Sequence, residues 1–369
     1  MLRHILSFLY YFCANGIAKF FRFAHRKMSY YYSQKPCSAN STLNYQPLVY
    51  DVINKLLIDP NTRRVKKELT EERACPNCNS VTKELLFQAP DGFDYVICKD
   101  CGFIYSNPIL KPKVELRLIE KIDTVTQILI ENRTNEYQYE LRTRFNRYLK
   151  DIHKYKKSGR LLDVGTLTGN FLLAAQSFGY DCYGIEKFSR RVEIAKNRGL
   201  NVQLANIEEI QFYNKFDIIT CWETLEHINS PKKALINIRN CLTPNGIFSL
   251  SVPNFRCPTV LILKDYCSWL QIAQDHRNMF TPLSLMHMLS DVGFDILEIN
   301  TEGRNDWVDI LHYLFMEYGE LRIFKNRYKE NRTKNIKRIY GKLLSAILYP
   351  LERAAGMGTL IRCIARKRK

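Results

Sequence analysis

Four cysteines in two short motifs form the most specific local pattern in this 369-residue chain. Cys75 and Cys78 make one C-x-x-C motif, and Cys98 and Cys101 make a second one after an interval of 19 residues. Each motif offers two thiolates from a tight turn, and the spacing is typical of a structural Zn²⁺ site with four cysteine ligands. Disulfides are the alternative, and they would need an oxidising compartment. Zinc ligands predict a reducing setting, and therefore a cytoplasmic protein.

The residues between and after these motifs predict the strands that would carry them. Glu84 to Gln88 and Tyr95 to Ile97 are rich in strand-forming residues, and a short strand follows Gly102. The pattern predicts a zinc ribbon over residues 71–110. Because so short a segment can bury little apolar surface, we expect its folding to depend on the metal.

A second chemical pattern lies between Arg160 and Glu186, in the sequence RLLDVGTLTGNFLLAAQSFGYDCYGIE. An apolar strand is followed by a turn with Gly165, Thr168 and Gly169, then by a helix, a second strand and the acid Glu186. This order is typical of a nucleotide-binding βαβ unit, in which the turn directs backbone N–H groups and a helix N-terminus at an anionic group. A carboxylate after the second strand can accept hydrogen bonds from both hydroxyls of a ribose.

The spacing within the turn bears on which nucleotide binds. The dinucleotide pattern G-x-G-x-x-G would place Leu167 and Asn170 at glycine positions. The turn more closely resembles the D-x-G-x-G-x-G loop of class I S-adenosylmethionine (SAM) methyltransferases, which Asp163, Gly165 and Gly169 match, with Leu167 in place of the middle glycine. The alternative is an ordinary βαβ unit without a ligand.

Strands and helices continue to alternate after Glu186. Arg190 to Asn197 predicts a helix, Val202 to Leu204 and Phe216 to Cys221 predict strands, and Pro244 to Gly246 predicts a turn before a further strand. Alternation of this kind predicts a doubly wound parallel sheet, whose ligands bind at the carboxyl ends of the strands. Polar or aromatic residues that fall at these ends are Asp163, Glu186, Asn206, Trp222 and Glu223.

Two longer stretches extend the resemblance to this enzyme class. FDIITCWETLEHINSPKKALINIRNCLTPNGIFSLSVPN is similar to the second half of class I methyltransferases related to quinone O-methyltransferases. DHRNMFTPLSLMHMLSDVGFDILEINT resembles a branch that carries a zinc ribbon and is found among glycan and small-molecule methyltransferases. The resemblance covers roughly residues 75–303, and LIRCIARK resembles the family's last strand. It implies a seven-stranded Rossmann-like sheet with SAM as cofactor. The residues expected to bind SAM are Asp163, Gly165, Thr168 and Gly169 (methionine part), Glu186 (ribose), Asn206 (adenine), Trp222 and Glu223.

Methyl transfer from a sulfonium needs mainly positioning and exclusion of water, and an oxygen acceptor also benefits from a base. His276 is the first candidate for this base and His227 the second. Bracing of the surrounding loop is the alternative role for His276. Glu223, Glu226 and His227 have the E-x-x-E-H spacing that the resembling quinone enzymes associate with a divalent metal. Capping of the next helix is the alternative for Glu226 and His227.

The net charge of +18 is concentrated at the two ends of the chain. Residues 1–73 carry +7 and residues 304–369 carry +10, so the centre is nearly neutral. Basic ends predict contact with anionic lipid or nucleic acid, or are simply solvated. The first 27 residues lack the uncharged length to span a bilayer and predict an interfacial helix, with a signal peptide or a packing helix as the alternatives. Tyr340 to Leu351 has an apolar face.

Residues 255–275, which include Tyr266 and Trp269, predict a lid over the acceptor pocket.

The chain is predicted to be an α/β protein with the following parts: a basic aromatic segment (1–70), a zinc ribbon (71–110), a helical connector (111–157), a SAM-binding core (158–303), a helical insertion (304–354), and a last strand with a solvated basic tail (355–369). The predicted function is methyl transfer, preferably to oxygen, on a small-molecule, glycan-precursor or lipid-linked acceptor, with peripheral membrane contact. RNA methylation is an alternative, although no basic stripe crosses the neutral centre. A SAM-binding protein without catalysis is another, because Leu167 replaces a glycine.

Overall fold

The computed structural model describes residues 46–125, 137–210, 215–263, 273–303 and 346–368, together with Cys267, Leu270, Asn305, Trp307, Ile310, Leu343 and Leu344. Three predictions lie outside these residues. They are the N-terminal interfacial helix, the lid aromatics Tyr266 and Trp269, and most of the helical insertion over residues 304–354.

The ribbon has its strands where the sequence predicts them. Its elements, with the helices before and after it, are α1 (Gln46–Leu57), β1 (Thr70–Glu71), β2 (Lys83–Gln88), β3 (Asp94–Cys98), β4 (Ile104–Ser106), β5 (Ile109–Leu110) and α2 (Pro112–Val125). β2, β3 and β4 form an antiparallel sheet, so the two C-x-x-C turns lie at the same end of the ribbon.

The larger body is built around one sheet. Its helices are α3 (Tyr137–Glu140), α4 (Asn146–His153), α5 (Asn170–Ser177), α6 (Ser189–Asn197), α7 (Pro231–Cys241), α8 (Pro258–Leu263) and α9 (Pro282–Asp291). Its strands are β6 (Arg160–Val164), β7 (Asp181–Glu186), β8 (Val202–Leu204), β9 (Phe216–Trp222), β10 (Leu242–Pro253), β12 (Phe294–Glu302) and β13 (Leu360–Lys367), and β11 (Asn278–Met279) pairs elsewhere.

The seven strands have the order β12-β13-β10-β9-β6-β7-β8, which confirms the predicted seven-stranded sheet. β10, β9, β6, β7 and β8 are mutually parallel, but β13 is antiparallel to both of its neighbours. The strands from β6 to β10 are therefore parallel as predicted, and β13 runs opposite to the other six strands of this sheet. The reason is that β13 begins beside the last residue of β12, where Leu360 pairs with Glu302, and then runs back along β12.

Neighbouring residues of each strand point to opposite faces of the sheet, and both faces are covered. Leu161 belongs to an apolar cluster with residues of α4, α5 and α6. Leu162 belongs to a second cluster with residues of α7 and α9, and with Val96 and Phe103 of the ribbon. The ribbon thus packs on the same face of the sheet as α7 and α9.

Two local predictions are corrected. The Pro244 to Gly246 turn lies within β10, where the pairing register with β9 shifts between Leu242 and Ile247. The basic tail is not simply solvated, because Lys367 ends β13 and its ammonium donates to the Leu242 carbonyl at 2.9 Å. The Arg368 guanidinium forms an ion pair with Asp295 at 2.8 Å.

Candidate functional site

The four ribbon cysteines converge. Sγ of Cys75 lies 3.6 Å from Sγ of Cys101, and Sγ of Cys78 lies 3.6 Å from Sγ of Cys98. All four sulfur atoms lie within 4.8 Å of one another. Tetrahedral Zn²⁺ with Zn–S bonds of about 2.3 Å requires S···S separations of about 3.8 Å. The cluster therefore fits a four-cysteine zinc site without rearrangement.

The glycine turn between β6 and α5 requires its glycines. Gly165 has φ +74°, and a Cβ built on it would lie 2.5 Å from the Thr224 side chain after β9. Gly169 has φ +89°, and a Cβ there would lie 2.0 Å from Leu200 Cδ1. Both positive φ values disfavour larger residues, and at Gly165 a side chain would also strike Thr224. The turn therefore presents bare backbone at the carboxyl edge of the sheet, next to the segment that follows β9.

Leu167 occupies the position of the missing middle glycine and adopts φ +50°. Its side chain is 39% exposed, so it does not fill the turn. Its backbone N–H donates to Oε2 of Glu186 at 3.0 Å. The departure from the glycine pattern is accommodated by a strained backbone rather than by a blocked loop.

Glu186 at the end of β7 organises the same region. Its Oε1 accepts from the backbone N–H groups of Lys187 and Phe188, at 2.8 and 3.1 Å. Burial raises the pKa of Glu186, against the lowering effect of the Arg191 charge and these backbone donors. A carboxylate oxygen has more than one lone pair, so ribose hydroxyls can still be accepted. Glu186 and the bare glycine turn fit the ribose and the methionine part of SAM.

Three other predicted cofactor residues have protein partners. Asp163 is buried and accepts from the Thr220 hydroxyl at 2.6 Å, and burial raises its pKa to about 7. The carbonyl of Thr168 accepts from the Arg198 guanidinium. Oδ1 of Asn206 accepts from the Glu208 backbone N–H at 3.1 Å. Asp163 and Thr168 therefore brace the glycine turn, and Asn206 closes the turn after β8.

Trp222 and Glu223 lie at the end of β9 but point to different partners. The Trp222 ring packs 4.7 Å from the Tyr148 ring and 5.2 Å from the Phe171 ring, as part of the core. Glu223 Oε1 accepts from the Arg144 guanidinium at 2.6 Å. The predicted E-x-x-E-H set is thereby divided, because Glu223 is drawn to Arg144 and away from Glu226 and His227.

The cluster that the structure does assemble consists of Glu226, His227 and His276, each with a ligand-type atom within 4.8 Å of the others. The two imidazole rings are 5.0 Å apart. Burial raises the pKa of Glu226 to about 7. Burial lowers the pKa of His227, but the nearby carboxylates of Asp275 and Glu226 outweigh this effect and raise it to about 9. His227 is therefore a cation at neutral pH and is poorly suited to act as a base.

The segment that carries His276 is held by the ribbon. β11 pairs with β4, so this stretch of the core forms the fourth strand of the ribbon sheet. The Tyr95 hydroxyl donates to the His276 carbonyl at 2.9 Å, and the Ser106 N–H donates to the Arg277 carbonyl at 2.9 Å. The Arg73 guanidinium donates to the Arg277 carbonyl at 2.9 Å and to the Asn229 carbonyl at 2.6 Å.

Glu115 on α2 connects this segment with the cofactor side. Its Oε1 lies 2.9 Å from the Lys187 ammonium, directly after Glu186, and 3.2 Å from the Arg277 guanidinium, directly after His276. These opposite charges outweigh burial and lower the pKa of Glu115. One buried carboxylate therefore joins the two sides of the site.

Residues 134–299 match the family model described as "Methyltransferase domain". Residues 134–299 of this chain form a methyltransferase domain. Its relatives include the ubiquinone biosynthesis O-methyltransferase of Rickettsia canadensis, which is 21% identical over 190 residues, or 46% of this chain and 79% of that protein. The protein of the same name from Coxiella burnetii strain RSA 331 is 28% identical over 155 residues, or 39% of this chain and 66% of that protein.

A solved structure with a similar fold is a SAM-dependent methyltransferase of Thermotoga maritima, described as a possible histamine N-methyltransferase. The match has a TM-score of 0.40 and 18% identity, and it covers 65% of this chain and 97% of that one. The family model over residues 134–299 and the relatives named as O-methyltransferases confirm the prediction of a methyltransferase.

Several residues of the methyltransferase site carry no signal in the sequence. Arg144 and Glu115 are ordinary charged residues in helices and Arg73 lies in irregular chain after β1; all three are far in sequence from the residues that they contact. Only Arg73 lies close to a motif, two residues before Cys75. Arg144 and Glu115 could be found only from their tertiary contacts.

Proposed function

We propose that this methyltransferase transfers the methyl group of SAM to an oxygen of a small-molecule, glycan-precursor or lipid-linked acceptor. The observation that carries the proposal is the contact between Gly165 and Thr224, which brings the cofactor turn against the segment that holds Glu226. The cluster of Glu226, His227 and His276 therefore begins two residues after Thr224, which contacts the glycine turn. The relatives named as O-methyltransferases support oxygen as the acceptor atom.

The chain's own residues would bind and orient the cofactor. Backbone groups of the Gly165 to Gly169 turn would contact the methionine part, and Glu186 would accept from the ribose. The Arg144 guanidinium near the end of β9 forms ion pairs with Glu140 and Glu223, both at 2.6 Å. Bound SAM supplies a methyl group on a positively charged sulfur. An acceptor oxygen can attack the methyl carbon in line with the carbon–sulfur bond, and the sulfur leaves.

We infer that the ribbon holds one structural Zn²⁺ through Cys75, Cys78, Cys98 and Cys101. The support is the close packing of the four sulfur atoms described above. Elemental analysis of protein purified without chelators should find one zinc per chain. Four thiols that react freely in metal-free, folded protein would contradict it.

Peripheral membrane contact is also proposed. No helix within the described ranges is long and apolar enough to span a bilayer. Residues 346–354 are helical, and Leu343, Ile347 and Leu351, spaced by four residues, are 54%, 58% and 65% exposed. An apolar helix face beside basic residues favours an anionic lipid surface.

Vesicle sedimentation tests this attachment. Vesicles with anionic lipid should bind the full chain at low salt, and salt or deletion of residues 1–28 should weaken the binding, because each Lys or Arg near such a surface adds about 1 kcal/mol. Neutral vesicles are the control. A chain that ignores anionic vesicles but binds RNA tightly would favour the RNA methyltransferase alternative.

Labelled SAM tests the proposed reaction. The full chain is incubated with SAM labelled in its methyl group and with separated small-molecule, glycan and lipid fractions of a cell lysate. Label should appear in a fraction and should be stable to conditions that cleave methyl esters, as expected for a methyl ether. Binding of SAM without labelling of any fraction would favour a SAM-binding protein without catalysis.

A further inference from the structure

The half-buried guanidinium of Arg73 is bonded to the protein without a carboxylate. It donates to the carbonyls of Ser106 at 3.1 Å, Asn229 at 2.6 Å and Arg277 at 2.9 Å. These partners are uncharged, and no ion pair among the described residues includes Arg73. Because a cation withdrawn from water is costly unless negative charge lies near it, Arg73 requires a counter-charge that its bonded partners do not supply.

The hydroxyl of Tyr105 on β4 is also without a partner. Tyr105 is fully buried, and its hydroxyl oxygen has no hydrogen-bond partner among the described residues. Its ring lies under the Arg73 guanidinium, with 5.3 Å between the guanidinium carbon and the ring centroid. An unpaired buried hydroxyl is costly, so it indicates that an acceptor belongs beside it.

Tyr105 lies on the side of the ribbon sheet that carries the buried cysteines. It pairs with Val96 of β3, and Cys98, two residues after Val96, lies on the same face of that strand. Cys75 belongs to the same apolar cluster. Burial raises the pKa of Tyr105 to about 12, and the charges of Cys75 and Cys98 act in the same direction. The hydroxyl therefore keeps its proton at neutral pH and can donate towards these sulfur atoms.

A zinc ion with four thiolate ligands would supply what Arg73 and Tyr105 lack. Such a group has a formal charge of about −2, and its sulfur atoms accept hydrogen bonds. Cys75 and Cys98 are buried, whereas the other two cysteines of the ribbon are exposed. Water can solvate the exposed thiolates, but the buried pair depends on donors and positive charge from the protein. Arg73 lies two residues before Cys75, on this buried side.

We propose that the Tyr105 hydroxyl donates to the Cys75 thiolate of the zinc site, and that Arg73 is the counter-charge of the zinc–thiolate group. The inference rests on the proposed structural Zn²⁺ and is independent of the methyl acceptor. Arg73 binds the carbonyls of Asn229 and Arg277 with the same guanidinium, so the zinc charge stabilises the side chain that holds these two segments. Zinc occupancy is thereby coupled to the residues next to His276.

Zinc affinity tests the hydroxyl. It is measured by competition between the full chain and a chromophoric chelator. Tyr105→Phe should lower the affinity about tenfold, within the range found when a group bonded to a metal ligand is removed. Tyr155→Phe, which loses a hydroxyl bonded to Glu298 at 2.6 Å, is the matched control and should not change it. Equal zinc affinity in Tyr105→Phe and wild type would overturn the proposed hydrogen bond.

Cobalt separates this hydrogen bond from packing. Co²⁺ in place of Zn²⁺ gives an absorption band in which an electron moves from thiolate sulfur to the metal. A hydrogen bond stabilises the sulfur electrons, so Tyr105→Phe should move the band to longer wavelength, and Tyr155→Phe should leave it in place. A band that is unchanged in Tyr105→Phe would contradict the hydrogen bond even if the variant were less stable.

Two substitutions of Arg73 separate its charge from its shape. Arg73→Lys keeps the charge and should keep zinc affinity within about threefold of wild type, whereas Arg73→Met should lower it at least tenfold. Arg117→Met, at an exposed position on α2, is the control. Equal losses in Arg73→Lys and Arg73→Met would overturn the role as counter-charge.

Amide exchange tests the coupling to the core. With zinc bound at saturation, exchange at residues 277–279 should be faster in Arg73→Met than in Arg117→Met. Equal exchange would overturn the coupling. A wild-type chain that bound neither zinc nor cobalt would contradict the structural zinc itself. Tight zinc binding with no change in Tyr105→Phe or Arg73→Met would overturn only the present inference.

Discussion

The two sides of the active site are built in different ways. The cofactor half, residues 160–186, is one continuous stretch whose turn is shaped by Gly165, Gly169 and the carboxylate of Glu186. The half that we propose for the acceptor consists of the turn Leu225–His227, residues 274–279 and the ribbon strands β3 and β4 that hold them. From this comparison we expect cofactor binding to depend on local backbone and acceptor binding to depend on the ribbon.

Loss of a zinc ligand should produce the largest difference between the two halves, because methyl transfer should fall while SAM affinity is kept. In Cys78→Ser we expect zinc loss and at least a 100-fold fall in methyl transfer, because structural zinc contributes about 10 kcal/mol or more to small zinc folds. SAM affinity should stay within about threefold of wild type. Cys241→Ser, at a buried single cysteine on α7 outside both halves, is the control for the substitution itself. Full activity of zinc-free Cys78→Ser would show that the acceptor half does not need the ribbon.

Removal of Glu186 should damage the cofactor half instead. Glu186→Ala leaves ribose hydroxyls and the Leu167 N–H without their acceptor, which costs about 1–3 kcal/mol, or about 5- to 150-fold in SAM affinity. Calorimetry measures this loss, and zinc content should not change. Glu193→Ala on α6 is the exposed control. Unchanged SAM affinity in Glu186→Ala would remove Glu186 from the cofactor site.

The cofactor half could be predicted from sequence because local rules determine it. The order of strand, glycine turn, helix and acid fixes which groups meet at the sheet edge, and β6, β7 and Glu186 lie where that order places them. Even so, the sequence could not show that Asp163 bonds Thr220 or that Asn206 is used by its own turn. Those contacts depend on side-chain packing between separate elements.

The acceptor half was predicted only as separate candidates. His276 is predicted from its place in the loop region that covers the carboxyl edge of the sheet, and the structure brings its ring to 5.0 Å from that of His227. The Asp275 and Glu226 carboxylates that make His227 a cation, and the pairing of β11 with the ribbon, are long-range contacts without a periodic signal in the sequence. The E-x-x-E-H spacing likewise could not reveal that Glu223 pairs with Arg144.

A single hydrogen bond from the ribbon should have a smaller effect on the acceptor half. Tyr95→Phe removes the bond to the His276 carbonyl, which contributes about 0.5–1.5 kcal/mol, or about 2- to 10-fold. We expect that loss in kcat/KM for the acceptor, with SAM affinity unchanged. Tyr155→Phe, which loses a hydrogen bond to Glu298 far from the ribbon, is the matched control. A loss of SAM affinity in Tyr95→Phe would contradict the separation of the halves.

The smallest expected effect concerns Leu167. Its side chain is exposed and its N–H already binds Glu186, so Leu167→Gly should change SAM affinity by less than about twofold. Relief of the positive φ should be partly offset by the greater freedom of glycine in the unfolded chain, so stability should change by less than about 1 kcal/mol. A tenfold gain in SAM affinity would show that the leucine impairs cofactor binding.

Hydrogen–deuterium exchange of the wild-type chain, with zinc bound and after chelation, tests the difference between the halves most directly and needs no acceptor. Chelation should remove amide protection in the ribbon and at residues 274–279, whose backbone the ribbon holds. Protection over residues 160–186 should remain, and SAM should still increase it. Equal loss of protection in both halves, or no loss at residues 274–279, would contradict the account.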